Sequence, residues 1–292
     1  MNARSDVVGG AWRRHRQWSI AAGNGRARLE RWRRVNLTLL VLGAILGAVA
    51  AQSSWPRGLT GAAAGGAALA LAVAGIVQQR FLNPEEVARW TGARAASETL
   101  KAEVFRYCAG VAPYDNTDRD STLSAQLDAV QQKAAALMLD LQQTRPDNTA
   151  LPEVGDFRSY VEKRARQQAD WHRGKIAGHV QAAKRIRSAE LAATVVAALL
   201  GAIAAAFDTN GLAVWIGVAT TIGAAFAAHL SATQRDRIAA GYAATADRLD
   251  LLIERLPAHP NAAIRAQFVT DVESTLAAQN ETWLGLLSPK QL

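Results

Sequence analysis

The chain has 292 residues, a mean hydropathy of −0.02 and a formal net charge of +8, so it is long enough for two domains and favours an anionic partner, lipid headgroup or nucleic acid. Half of the residues are apolar, and the near-zero mean means that they are gathered into blocks. Cys108 is the one cysteine, which excludes an internal disulfide and a cysteine metal cluster and fits the cytosol or the cytoplasmic face of a membrane.

In chain order, the first feature is the basic stretch "WRRHRQW", Trp12 to Trp18. Its interleaved arginines and aromatics suit nucleic acid, but next to a membrane span they are better explained by anionic lipid. Nucleic acid is therefore not expected as a partner. No charge occurs between Arg34 and Arg57, nor between Arg57 and Arg80. The same holds between Glu190 and Asp208, and a fourth apolar block runs from Gly211 towards Arg235. Roughly 17 to 25 apolar residues suffice for a helix to cross a bilayer, and all four blocks fall in that range. They predict spans over 35–54, 59–78, 189–207 and 211–231, paired into two hairpins. The alternative is an alanine-rich soluble bundle with buried helices. The "AVA" at Ala48–Ala50 resembles a signal cleavage site, but a second apolar block follows at once, so the first block is expected to be retained.

Both hairpins are flanked by cations. Arg26, Arg28, Arg31, Arg33 and Arg34 precede the first and Arg80 follows it. Lys175, Lys184, Arg185 and Arg187 precede the second, with Arg235 and Arg237 after it. The turns hold only Arg57 and Asp208. An excess of Lys and Arg marks cytoplasmic flanks, so both termini and the Pro113–Phe157 region are expected on the cytoplasmic side of the membrane.

Between the hairpins, Pro84 suits a first helical turn, and Trp90, Ala93, Leu100, Val104, Tyr107 and Cys108 recur on one helical face. "DSTLSAQLDAVQQKAAALMLDLQQ" predicts one further amphipathic helix with Leu123, Leu127, Val130, Leu137 and Leu141 inward. "TRPDNTALPEVGD" breaks the pattern twice with proline and reads as a linker. A long helix then leads from Asp156 into the third span, another follows the fourth until Pro257, and a last one closes the chain. The fold class is all-α: an integral membrane protein with two tandem transmembrane hairpins and long amphipathic cytoplasmic helices. The domains are 10–145 and 156–288.

"LGAI" occurs at Leu42–Ile45 and again at Leu200–Ile203. In each half a basic, Trp-bearing helix (Trp12, Trp171) precedes it, and a helix with an aromatic and a later leucine follows the hairpin (Trp90 and Leu100, Tyr242 and Leu249). The chain is a tandem duplication in architecture, which suits a symmetric membrane assembly.

On these residues a family resemblance becomes specific. "YVEKRARQQADWHRGKIAGHVQAAKRIRSAEL" resembles the helix that leads into the hairpin of the SLATT family, the SMODS- and SLOG-associating two-transmembrane effector domain. There a Tyr–Arg–Gln–Trp pattern precedes the hairpin. "FVTDVESTLAAQNETWLGLL" resembles that family's acidic closing helix, and "LKAEVFRYCAGVAPY" is similar to the segment after the hairpin in the N-terminal domain of two-copy members. His172 stands where many members have Tyr. The resemblance runs from Ala11 to Leu287 and implies a homo-oligomeric, pore-forming effector in bacterial defence, triggered by a nucleotide-signalling or sensor partner. The alternative is a non-conducting membrane adaptor whose cytoplasmic helices recruit partners.

No catalytic constellation is present in the sequence: no phosphate-binding loop and no nucleophile elbow. His172 and His179 share a face without a completing ligand, and Cys108 lies on an apolar face. No enzyme activity, cofactor or metal is expected. Thr194, Thr220 and Thr221 are polar positions within the second hairpin, with Glu190 and His229 at its edge; these five are the candidate pore-lining residues. Gly43 and Gly47, and Gly61 and Gly65, are small pairs four apart and the candidates for close helix packing within each hairpin, with contacts between subunits as the alternative.

The orientation is directly testable. In a Cys108→Ser background, single cysteines at Ser53 and Thr209 should react with an impermeant reagent added outside. Reaction of Thr209→Cys only after access is given to the cytoplasm overturns the arrangement.

Overall fold

The computed structural model describes residues 3–52, 54–207 and 211–287. Ser53, Thr209 and the expected domain end at 288 lie outside them. All regular structure among the described residues is helical: α1 (Ala3–Ala50), α2 (Arg57–Phe81), α3 (Pro84–Ala109), α4 (Arg119–Lys133), α5 (Met138–Gln142), α6 (Phe157–Tyr160), α7 (Gln167–Phe207), α8 (Leu212–Thr233), α9 (Arg235–Glu254) and α10 (Ala262–Leu287). Ala27–Glu86 and His179–Asp236 form one compact unit; Val87–Gly178, with the described stretches before Ala27 and after Asp236, forms the other.

In the first unit, four helices are long and apolar enough to cross a membrane. Little of their apolar surface is covered: 6% of the most apolar window of the Phe157–Phe207 helix and 28% of that of Arg57–Phe81 are buried. Leu42, Leu69, Ile76, Leu191, Leu199 and Phe207 all point outward. An apolar face of this extent has a natural place only in lipid or against another protein. The buried positions of α2 are Ala63, Ala67, Ala70, Ala74 and Val77, a four–three alternation of small side chains that makes a narrow seam. Against α1 the close approach is made at Gly43, where a Cβ would come within 2.8 Å of Leu71, and at Gly66, where it would meet Leu46 at 3.1 Å. No atom lies within 4 Å of a Cβ built at Gly47, Gly61 or Gly65. At the base of the first hairpin Trp32 stacks on Phe81 at 4.1 Å and Arg28 pairs with Glu86 at 2.5 Å.

The second unit has a core drawn from both halves of the chain. Val8, Ala11 and Trp12 of α1 meet Val104, Phe105 and Tyr107 of α3, Tyr160, Ala165 and Ala169 around α7, Leu249 of α9, and Phe268, Val269 and Val272 of α10. Edge-to-face rings run through it: Trp12 to Phe105, Phe105 to Tyr160, Tyr160 to Phe268, and Phe268 to Phe157, a geometry that adds to plain area burial. The aromatic residues of the "WRRHRQW" segment turn inward, while Arg13 stays exposed. Trp12, His15 and Trp18 are buried, and Arg16 pairs with Asp147.

Helix ends follow local chemistry. Asn83 accepts from the Glu86 amide ahead of α3 and Asn261 from that of Ile264 ahead of α10; Asp156 and Ser159 cap one another's amides at α6. Two features depart from the expected pattern. The predicted single helix after Asp120 breaks at Ala134 into α4, a tight turn and α5, and Gln17 then donates to the exposed end carbonyls of Leu141 and Thr144. The proline-rich linker is tied down rather than loose, with Trp12 Nε1 donating to Thr149 O at 3.0 Å and Val154 in the core.

His15 sits in this core with Nδ1 2.9 Å from Ser97 O, and burial pushes its pKa down from 6.5 to about 4. A histidine held neutral in the fold contributes a penalty once the unfolded chain protonates. Stability should therefore be full above pH 6.5 and fall as pH drops towards 4, by up to roughly 3 kcal/mol. Thermal unfolding across that window should show the slope, and His15→Gln should flatten it.

Candidate functional site

Outside the apolar spans, the most strongly specified polar group of the chain is an ion pair with no access to water. Arg164 and Glu273 are 2% and 1% exposed. Arg164 donates from Nε to Oε1 at 2.9 Å and from Nη2 to Oε2 at 2.7 Å, and the Tyr160 hydroxyl donates to Oε1 at 2.9 Å. The guanidinium lies 4.5 Å from the centre of the Phe105 ring. Glu273 raises the Tyr160 hydroxyl well above its usual pKa, with burial the larger cause, and holds Arg164 charged against burial. Local backbone explains how the arginine reaches its partner: Val161–Arg166 winds as a π-helix between α6 and α7, a form found mostly as short bulges at functional positions.

Around this pair the polar groups are packed closely. A cavity of about 270 Å³ is lined by Glu98, Glu103, Arg106, Arg164 and Glu273, among others. Lys101, half-buried, has its pKa lowered to about 8 mainly by desolvation, with the Arg164 charge adding to it. Glu103 accepts from Tyr114 at 2.5 Å and from Arg106 at 3.0 Å. Burial also lifts Cys108 to about 11, leaving a thiol rather than a nucleophilic thiolate. Carboxylates outnumber cations here, so the cavity is a poor host for a phosphate.

The candidate pore-lining residues are distributed along α7 and α8. Thr194, Thr220 and Thr221 are exposed, and each hydroxyl donates to its own helix: Thr194 to Glu190 O, Thr220 to Gly217 O and Thr221 to Gly217 O. A hydroxyl satisfied in this way can face lipid at low cost. Glu190 is half-buried at the start of the apolar block and makes no ion pair among the described residues; Arg187, three residues before it on the same helix, pairs with Asp236 at 2.5 Å. The backbone there packs against Gly223, whose position lies 3.9 Å from Glu190 O. His229 lines a separate cavity with Arg33 and Asn36. Glu190 and Thr194 thus both lie beside Gly223 of α8, while His229 lines that other cavity.

Sequence reasoning missed Arg164 and Glu273 as partners, although a signal was there. Glu273 occupies a place in the apolar stripe Val269, Val272 and Leu276, and a carboxylate on a core face requires a buried cation.

Residues 160–283 match the family model described as SMODS and SLOG-associating 2TM effector domain 1, and residues 16–122 match a model for a protein family of unknown function, DUF4231. No curated protein and no solved structure is significantly similar to the chain. The four candidate spans fit a multi-pass membrane protein, and the first match suggests a membrane effector. Residues 160–283 are similar to the SLATT family, and the two matches together are consistent with a tandem arrangement.

Tyr160, Arg164 and Glu273 all fall within the SLATT match. Removing one partner should leave a buried charge unmatched, so Glu273→Gln is expected to cost about 3–5 kcal/mol. The paired replacement Arg164→Met with Glu273→Leu should recover most of that loss. Thermal unfolding of the three variants checks both statements.

Proposed function

We propose that the protein is a bacterial inner-membrane effector that permeabilises the bilayer as a homo-oligomer when a nucleotide-signalling or sensor partner engages its cytoplasmic helices. The observation that carries this reading is the match of residues 160–283 to an effector domain, over a hairpin whose apolar side chains Leu191, Val195, Leu199 and Ile203 face outward. In this reading both termini are cytoplasmic, as the flanking arginines favour. The protein acts without an enzymatic step of its own.

A trigger has a plausible route to the membrane. Glu273 of α10 grips Arg164 directly before α7, and α7 is one helix from Gln167 to Phe207, which carries the third span. A partner that displaces α10 acts on the span through that grip. Gly47, Gly61 and Gly65, where an added Cβ would meet nothing from another helix within 4 Å among the described residues, are then suited to contacts between copies, where small residues let helices approach. Glu190, Thr194, Thr220, Thr221 and His229 supply polar atoms for a lining assembled from several copies, with Glu190 as a ring of negative charge at the mouth.

Conductance of the purified protein in planar bilayers, with and without its partner, tests the reading. Absence of current and of any change in membrane potential in cells favours the non-conducting adaptor. Within a conducting protein, Glu190→Gln should lower cation-over-anion selectivity and shift the reversal potential under a salt gradient, with assembly unchanged. An unshifted reversal potential removes the ring from the mechanism.

A further inference from the structure

Within the hairpin unit, α1, α2 and α8 enclose a cavity of about 260 Å³ whose polar lining is Arg33, Asn36, Gln78 and His229. Three observations mark it as a place for an anion. Arg33 is largely covered and makes no hydrogen bond or ion pair among the described residues. Arg235 acts on both Arg33 and His229 as a further like charge, and its own buried Nε has no hydrogen-bond partner. No carboxylate lines the cavity: Glu30 acts on Arg33 from the same helix, and Asp236 is taken by Arg187. Arg33 has only the partial compensation of Glu30, so a largely covered guanidinium with Arg235 as a further like charge is costly unless something negative joins it.

The rest of the lining says what kind of anion. Leu37, Leu40 and Leu82 give it apolar walls, and it lies where the charge-free blocks of α1, α2 and α8 meet their basic flanks. The Asn36 Oδ1 atom is buried without a donor, so a hydroxyl on the ligand would be satisfied there. We propose that this cavity is a binding site for the headgroup of an anionic phospholipid bearing a hydroxyl, of the phosphatidylglycerol type. Its phosphate accepts from Arg33 and Arg235, its headgroup hydroxyl donates to Asn36, and its acyl chains follow the apolar walls. The site rests on the placement of the spans in a bilayer and is independent of whether the protein conducts.

Native mass spectrometry of the full-length protein in detergent provides the test, with phosphatidylglycerol, phosphatidylcholine and inorganic phosphate as the probes. Phosphatidylglycerol should be retained, phosphatidylcholine should not, and inorganic phosphate should fail to displace the lipid. Arg33→Gln with Arg235→Gln removes the charge-assisted donors and should lower retention about tenfold or more. Ala228→Trp, which fills the cavity and leaves the charges in place, should do the same and decides the matter where the double variant fails to fold. Arg57→Gln, away from the cavity, should retain lipid as the parent does. Undiminished retention in a folded double variant or in Ala228→Trp overturns the site. Equal retention of phosphatidylcholine, or ready displacement by inorganic phosphate, overturns the assignment to an anionic lipid.

Discussion

A backbone in hydrocarbon has no water to bond to, so each apolar block must close its own amide and carbonyl groups. Helices joined as short hairpins meet this requirement, and the rest of the structure is arranged around them. Because the helix satisfies itself, the side chains of the spans are free to be alanine, glycine and threonine. Small residues bring α1 and α2 together at Gly43 and Gly66, and threonine hydroxyls turn back onto their own carbonyls. Packing inside the hairpin unit is therefore governed by close approach rather than by the withdrawal of apolar surface from water.

The other unit obeys the opposite rule. Its rings, leucines and valines leave water, and they form one core shared by segments far apart in the chain. Within that core a fully desolvated ion pair is tolerable only with near-ideal geometry, and Arg164 with Glu273 meets that condition through two parallel hydrogen bonds and the Tyr160 hydroxyl. Such a pair adds little net stability compared with an apolar pair, but it fixes which face of α10 meets the start of α7. A π-turn at the same place keeps the arginine aimed inward.

Charge has two separate roles. Along the flanks of the hairpins, arginines far exceed acids. Inside the hairpin unit, Arg33 lines a cavity that has no carboxylate in its lining, and Arg235 acts on it as a like charge. The acid-rich cavity around Arg164 has the opposite balance of charge.

The sequence by itself determined the helical class, the four apolar blocks, their pairing and most helix ends, because these depend on local matters: periodicity, runs without charge, and capping residues such as Asn83, Asp156 and Asn261. It also determined the buried faces of α3 and α9, since Trp90, Leu100, Tyr242 and Leu249 recur at helical spacing. Only the tertiary structure decided where "WRRHRQW" goes, because a Trp–Arg alternation reads the same on a lipid surface and in a core until Phe105 and Asp147 are placed beside it. It alone brought Glu273 to Arg164, 109 residues away in the chain, and separated His229 from the threonines by giving it Arg33 and Asn36 as cavity neighbours. Pairings of that kind depend on which helix faces meet. Packing across the whole chain settles that, and no local pattern encodes it.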